Sequence, residues 1–347
     1  MKARALRLAV AAALPLLTFL LAAKPEQRVR LLPQFTPHQT LRYQIETRLT
    51  ISGTTTTPID NPEGASLLKQ TVSMLVRLDV LDAQPGTATG MGRVRLRATY
   101  EKSTATSETD AYDPQAAALE DQFTRLGGHS MEFTIEPDGK LSSITGLEDI
   151  LSNPTAAQSV RSWMSGLSSG ASFPQAGIVI GQKWTNEQPL TGTPLGGLMW
   201  RTEAIYLRNE PCRAASPPAT SAPATPLTNA LPAVKNAAPP SAATDESCAV
   251  ILTRFEILHH PSRDDATPED YRRNGLRTSG TWTGKGESLD SISLSTGMVA
   301  SSTQTNSQEM DFQILSALTG TRLLYKGRVH SETDITLLPQ STPVPSP

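Results

Sequence analysis

Three short patterns in this chain contain residue types that could do chemistry. The first is Gly166 to Gly170, which matches G-x-S-x-G and would make Ser168 a nucleophile for acyl transfer. A nucleophile elbow needs its serine on a turn from a strand into a helix, whereas this pattern ends a predicted helix and enters a loop. We therefore interpret it as the small residues of a helix C-terminus and assign no catalytic residue. A hydrolase that uses Ser168 is the alternative.

The other two patterns indicate equally little chemistry. Ser66 and Lys69 match S-x-x-K, but the companion S-D-N and K-T-G motifs are absent from the sequence. His259 and His260 precede two aspartates at 264–265, where metal-ligand side chains crowd together. Because neighbouring residues of a strand point to opposite faces, we interpret this group as a solvated loop after a strand. We predict no metal and no cofactor.

The two cysteines indicate both topology and compartment. Cys212 and Cys248 flank residues 213–247, a tract rich in Pro and Ala and free of aromatic residues, which we predict to be a disordered loop insertion. Polar and apolar residues alternate before the tract, at 198–206, and after it, at 249–257. If these two strands pair antiparallel, the cysteines stand opposite each other and form a disulfide. Two free, buried thiols are the alternative.

Four aromatic residues are candidates for lining a cavity that holds an apolar ligand. They are Trp163, Trp184, Trp200 and Tyr206. The alternative is that they make ordinary core contacts or contacts between a helix and a sheet.

Period-two alternation predicts long strands in several places. It is clear at 41–51, 72–80 and 94–100, and turn residues at 137–139 and 295–297 predict two hairpins. A final strand is predicted over 329–337. Arginines at 93, 95 and 97 form the solvated side of one strand, for which we predict Glu46 and Asp79 as partners.

Helices are predicted at two insertions. One begins at Asp113-Pro114 and the other at Asn153-Pro154, and each has apolar residues on one side only. The predicted fold class is therefore mainly β (α+β): a curved antiparallel sheet or half-barrel with two short helices packed on one face.

The first residues are typical of an export signal. Lys2, Arg4 and Arg7 precede an apolar run over 8–23, so we predict a signal peptide at 1–23 and a bacterial periplasmic or secreted location, soluble after cleavage. Leu21 fits the cleavage pattern imperfectly, and an uncleaved anchor is the alternative. We predict no transmembrane segment in the mature chain. An oxidising compartment favours the disulfide.

The length of the chain limits the number of domains, and its net charge limits the kinds of partner. Residues 36–338 are expected to form one large β-rich domain, or two halves at 36–190 and 196–338, followed by a disordered tail at 339–347. The formal charge is −2 and the pI about 6.2, which gives no field for attracting nucleic acid.

Some of these features together resemble a known family. The hairpin from Phe133 to Leu141, the Gly-Gln-Lys-Trp run ending at Trp184, and the Ser-Thr-Gly-Met-Val hairpin ending at Val299 resemble a family of uncharacterised exported bacterial envelope proteins. More distantly, the chain is similar to periplasmic lipoprotein carriers, in which a curved sheet wraps around helices and an acyl chain can lie between them. The resemblance implies a non-catalytic periplasmic protein that binds a lipid, another hydrophobic ligand or an envelope component. A structural or adaptor module that contacts another envelope protein is the alternative.

Overall fold

The computed structural model describes most of the chain outside its ends and several connecting segments. The described residues are 28–56, 66–86, 92–111, 114–137, 141–146, 173–174, 176–190, 193–212, 246–260 and 267–339.

Eleven strands and two helices make up the described fold. The strands are β1 (Thr40–Thr56), β2 (Leu67–Ala83), β3 (Val94–Thr109), β4 (Ser130–Ile135), β5 (Leu141–Thr145), β6 (Lys183–Pro189), β7 (Leu198–Pro211), β8 (Ser247–His259), β9 (Leu276–Ser293), β10 (Val299–Ser316) and β11 (Arg322–Leu337). The helices are α1 (Pro114–Arg125), between β3 and β4, and α2 (Glu269–Arg273), between β8 and β9.

All eleven strands belong to one open antiparallel sheet. Its order is β5-β4-β3-β2-β1-β11-β10-β9-β8-β7-β6, so β5 and β6 are the edge strands. Each strand pairs with its neighbour in the chain on at least one side, and β1 pairs with β11, where Tyr43 lies opposite Leu337. The prediction of a mainly β protein with one antiparallel sheet is confirmed, and the described residues contain two helices, of which α1 is one of those predicted.

Alternation along the strands gives the sheet one apolar face. On β2, Val72, Met74, Val76, Leu78 and Val80 are all buried, and the residues between them are more exposed. The cross-strand register carries this face through Ile45 and Ile335 of the sheet centre to Ile251 and Tyr206 on the far side. We call this side of the sheet the inner face. Its burial is the main source of stability for a sheet of this kind.

Helix α1 packs on the inner face of β3. Phe123 and Leu126 join the core formed by β1 to β4, and the Ser103 hydroxyl donates to the Phe123 carbonyl oxygen at 2.6 Å. The helix predicted from Asp113-Pro114 is therefore confirmed. The helix predicted from Asn153-Pro154 lies outside the described residues. Helix α2 was not predicted, and it contains no buried residue.

Neither helix in the described part of the chain has the length and apolar character that crossing a membrane would demand.

The segment before β1 joins two cores. Leu31 is 1% exposed and packs with Ile178 and Tyr206, whereas Phe35 packs on the core of β1 to β4. Between them, the Gln34 amide donates to the Thr296 carbonyl oxygen in the β9–β10 turn. This segment therefore connects the apolar clusters of the two halves of the sheet.

The cysteines meet at the end of the β7–β8 hairpin. The predicted antiparallel pairing is present, with Trp200 opposite Ile257, and the two Sγ atoms lie 2.07 Å apart. The partner of Cys248 in the register is Glu210 rather than Cys212, so the cysteines are diagonal neighbours. A bulge after Tyr206 accompanies this offset.

Candidate functional site

The structure describes three of the four candidate ligand-lining residues and places all three on the inner face. Tyr206 is 1% exposed inside an apolar cluster, with its hydroxyl bonded to the Asn209 side chain. Trp184 lies against Phe173, with 5.7 Å between ring centroids. Trp200 stacks on Phe255 at 4.8 Å. Trp163 lies outside the described residues. Tyr206 therefore fills a core, whereas Trp184 and Trp200 remain partly exposed.

A wider group of aromatic rings continues from Trp200 along the inner face. We call it the aromatic band, and it consists of Trp200, Phe255, Trp282, Phe312 and Tyr325. The Phe312 ring stacks on Tyr325 at 5.1 Å and on Trp282 at 6.4 Å between centroids. Except for Phe255, every ring of the band is only partly buried. Part of each of the other four rings therefore remains exposed, although Trp200, Trp282 and Phe312 also pack against a buried cluster of Leu195, Leu198 and Ile257.

Glycines on β9 provide the space for these rings. A Cβ atom at Gly286 would lie 2.3 Å from the Phe255 ring and 2.2 Å from the Thr305 carbonyl oxygen. Only glycine therefore allows Phe255 to lie flat across β9. Gly284 similarly admits the Ile257 side chain.

Polar side chains lie beside the band, in the middle of the inner face. We call this group the polar floor, and it consists of Thr47, Ser288, Gln304, Asn306, Ser331 and Thr333. All are partly buried except Gln304, which is exposed. The Oδ1 atom of Asn306 is buried and has no hydrogen-bond partner among the described residues.

Asp290 borders the polar floor. Its carboxylate accepts hydrogen bonds from the hydroxyls of Ser302, at 2.5 Å, and Ser288, at 3.0 Å. Burial raises the pKa of the Asp290 carboxyl above its ordinary value, and the two hydroxyls offset part of that rise. Within the described part of the chain no basic side chain forms an ion pair with it.

The opposite, outer face of the sheet is charged and carries a groove of about 500 Å³ over β7 to β10. Its charged lining residues are Arg201, Glu203, Arg254, Glu256, Lys285 and Glu287. Opposite signs alternate across the strands, and Arg201 lies 3.5 Å from Glu256. The three positive and three negative charges cancel, so the groove has no net field for a charged ligand. Such exposed pairs contribute little stability and are typical of a solvated face.

The arginine stripe of β3 is also on the outer face, as predicted. Asp79 lies opposite Arg97 in the register, but the ion pairs form with other carboxylates, and Glu46 lies on β1, which does not adjoin β3. Arg97 pairs with Glu132 at 2.7 Å and Arg93 with Glu136 at 3.0 Å, both from the β4 side. Asp79 pairs instead with Arg77. Because β3 lies between β2 and β4, its arginines can form ion pairs with carboxylates of either neighbouring strand.

An unpredicted serine, histidine and carboxylate meet on the outer face. The Ser307 Oγ lies 2.9 Å from Nδ1 of His330, and Nε2 of His330 lies 3.4 Å from Glu332. The register places Ser307 directly opposite His330. Both β10 and β11 pair on two sides, which engages their backbone N–H groups in the sheet and leaves none to stabilise an oxyanion. The geometry fits a surface polar chain better than a hydrolytic site.

The motifs considered in the sequence are not assembled into a catalytic or metal site in the described structure. The Ser66 hydroxyl donates to Asp110 and holds the pKa of that carboxyl below its ordinary value, so Ser66 is not activated by Lys69. His259 is partly buried, with Nε2 near the Gly196 carbonyl oxygen at 3.2 Å, and His260 is exposed. Ser168 and residues 264–265 lie outside the described residues. The described residues contain no group of three histidine, cysteine, aspartate or glutamate side chains that could hold a metal ion.

Sequence reasoning missed most of the aromatic band and all of the polar floor. A signal for part of them exists in β9, where alternate positions 280, 282, 284 and 286 are Gly, Trp, Gly and Gly. Glycine at alternate positions of a strand indicates close approach by rings from its neighbours. Assigning those rings requires the strand order, which the local pattern does not contain.

Comparisons with known proteins identify no family. No protein-family profile and no curated protein matches the chain. Among solved structures, an outer membrane channel from Pseudomonas putida F1 aligns at 9% identity and a TM-score of 0.20, covering 88% of this chain and 97% of that one. OpdQ from Pseudomonas aeruginosa aligns at 6% identity and a TM-score of 0.16, covering 87% and 100%.

Proposed function

We propose that this protein is a non-catalytic component of the bacterial envelope that binds a hydrophobic ligand or envelope component on the inner face of its sheet. The observation that carries the proposal is the aromatic band. Its rings are held by stacking and by glycines, yet four of the five remain partly exposed. Aromatic surface that is ordered and yet partly exposed is typical of a binding site.

The remaining features support binding rather than catalysis. The carboxyl of Asp290 accepts hydrogen bonds from two serine hydroxyls, and among the described residues no histidine or lysine is hydrogen-bonded to either serine or to Asp290. The leader-like first residues and the paired cysteines favour an exported location.

Native mass spectrometry of the gently purified, full-length protein tests the proposal. We expect an envelope molecule to co-purify with the wild type and to be lost from a Trp282→Ala/Phe312→Ala variant. Arg254→Ala, on the outer face, serves as the matched control and should retain it. Absence of any bound molecule, together with no change in tryptophan fluorescence when an envelope extract is added, would contradict the proposal.

A structural or adaptor role is the second candidate, and the disulfide favours it. The Cys212–Cys248 pair closes the base of the 213–247 tract, which ties a long insertion to one end of the β7–β8 hairpin. A tract held in this way could contact another envelope protein. Replacing 213–245 by a short Gly-Ser linker should then abolish a pull-down interaction and leave thermal unfolding unchanged. An unchanged interaction would eliminate this candidate.

A further inference from the structure

The polar floor indicates which chemical class of ligand could bind to the inner face. This inference rests on the proposed function. Along β9, β10 and β11 the inner face contains no lysine or arginine, and its one carboxyl is Asp290. Phosphate or carboxylate head groups need cationic partners when they leave water. An anionic lipid head group therefore has no partner on these strands.

The floor does offer many neutral hydrogen-bonding groups. Amides at Gln304 and Asn306 both donate and accept, as does the Ser331 hydroxyl, whereas the Thr47 and Thr333 hydroxyls are bonded to each other at 3.3 Å. The Asn306 Oδ1 atom gives the most specific indication of a ligand, because it is buried and no described group donates a hydrogen bond to it. Buried acceptors normally have a partner, so this one indicates a donor that arrives with a ligand or as water.

An acyl chain laid across this floor would cover these groups without replacing their hydrogen bonds, which costs free energy for each group. A sugar ring fits both surfaces, because its C–H face is apolar and its edge carries hydroxyls that donate and accept. The aromatic band supplies the apolar contact next to the floor, and the Trp282 Nε1–H donates to Gln308 at 3.0 Å, which fixes that ring.

We infer that the inner face binds an uncharged oligosaccharide, with sugar rings against the aromatic band and sugar hydroxyls on the polar floor. The floor crosses four strands, β9, β10, β11 and β1, and therefore spans about 14 Å at the usual strand spacing. That distance suits a short run of linked sugars better than one monosaccharide.

Isothermal titration with neutral linear hexasaccharides tests the inference on the full chain. The probes are maltohexaose, cellohexaose and chitohexaose, each followed also by tryptophan fluorescence. We expect saturable binding of at least one, weakened tenfold or more by Asn306→Leu, which removes the unpaired acceptor at similar volume. Thr305→Val, the neighbouring residue on the outer face of the same strand, should bind as tightly as wild type.

Circular dichroism and thermal melting check the folding of each variant. Should Asn306→Leu fail to fold, Gln304→Ala replaces it, because that side chain is exposed and its loss should not perturb packing. Weakening of saccharide binding by Gln304→Ala of threefold or more supports the inference, and unchanged binding overturns it.

Lipid probes separate failure of the inference from failure of the proposed function. Binding of dansyl-undecanoic acid or of anionic phosphatidylglycerol vesicles, without binding of any hexasaccharide, would overturn the saccharide assignment and leave inner-face binding intact. Saccharide binding lost on Arg254→Ala would move the site to the outer face and also overturn it. If neither the hexasaccharides nor the lipid probes bind, the saccharide inference and the proposed function are both overturned.

Discussion

Strands β2 and β9 lie in the same sheet and present opposite kinds of inner face. Every second residue of β2 from Val72 to Val80 is aliphatic or methionine, and all are buried. The corresponding positions of β9 include Gly284, Gly286, Ser288 and Asp290. The first surface is filled by helix α1 and its own neighbours, whereas the second leaves room for rings and hydrogen bonds. One backbone architecture therefore combines a filled apolar core with an inner face that is only partly covered.

Removing the disulfide should lower the free energy of unfolding more than any other change. The faster local opening should be confined to the part of the sheet that contains β7, β8 and β9. Replacing both cysteines by alanine removes a cross-link between residues 36 apart in the sequence. We expect a loss of about 4 kcal/mol in unfolding free energy in the chain-entropy description. Urea denaturation measures it, and hydrogen exchange should show faster opening of β7 and β8 than of β2 and β3. Equal acceleration on both sides would mean that the two regions unfold as one unit.

Two truncations test directly whether one region is filled and the other open. Leu96 is 0% exposed in the core of β1 to β4, so Leu96→Ala should cost about 3 kcal/mol. Trp282 is larger but only partly buried, and Trp282→Ala should cost about 1 kcal/mol. Chemical denaturation of both variants gives the comparison. A larger loss for Trp282→Ala would show that the aromatic band is a packed core and not a binding surface.

A single added methyl group should disturb the aromatic band. Gly286→Ala places a Cβ within the Phe255 ring contact, and we expect a loss of about 2 kcal/mol through overpacking. Gly127→Ala is the matched control, because its nearest neighbour would be at an ordinary 3.4 Å. Thermal unfolding distinguishes them, and the two variants should differ clearly. Equal stability would indicate that both the Phe255 ring and the β10 backbone at Thr305 shift at little cost.

The smallest effect should be a pH dependence that belongs to Asp290. Because the folded-state pKa is raised, folding favours the protonated carboxyl, and stability falls as pH rises from the unfolded value through the raised one. Asp290→Asn removes this slope while retaining polar contact with Ser288 and Ser302. Urea denaturation between pH 4 and pH 8 should show the variant gaining stability relative to wild type as pH increases. If the difference in unfolding free energy between wild type and Asp290→Asn does not change with pH, the pH dependence does not come from Asp290.

The sequence predicted those parts of the fold that depend on local pattern. Alternation at 72–80 and 94–100 identified β2 and β3 and their buried residues, and Asp113-Pro114 identified the start of α1. Helix α2, five residues long, is too short to show a periodicity. Contacts that depend on strand order were not predictable, such as Arg97 with Glu132 rather than Asp79.

The same limit applies to the candidate site. Trp200 stood out because an aromatic residue in an alternating strand is conspicuous, whereas Phe312 and Tyr325 gain significance only when β10 and β11 are paired. The unpaired oxygen of Asn306 is a property of its surroundings and has no counterpart in composition or spacing.

The pairing of β1 with β11 also determines when this protein can acquire its structure. Tyr43 and Leu337 are nearly three hundred positions apart in the chain yet adjacent in the sheet. During synthesis or translocation, β1 has its hairpin partner β2 long before its other edge can be satisfied. That edge stays uncovered until the last strand arrives, and closing so long a loop is slow. Until then the unpaired edge of β1 is a place where another chain could pair, which is the usual route from an open strand edge to aggregation.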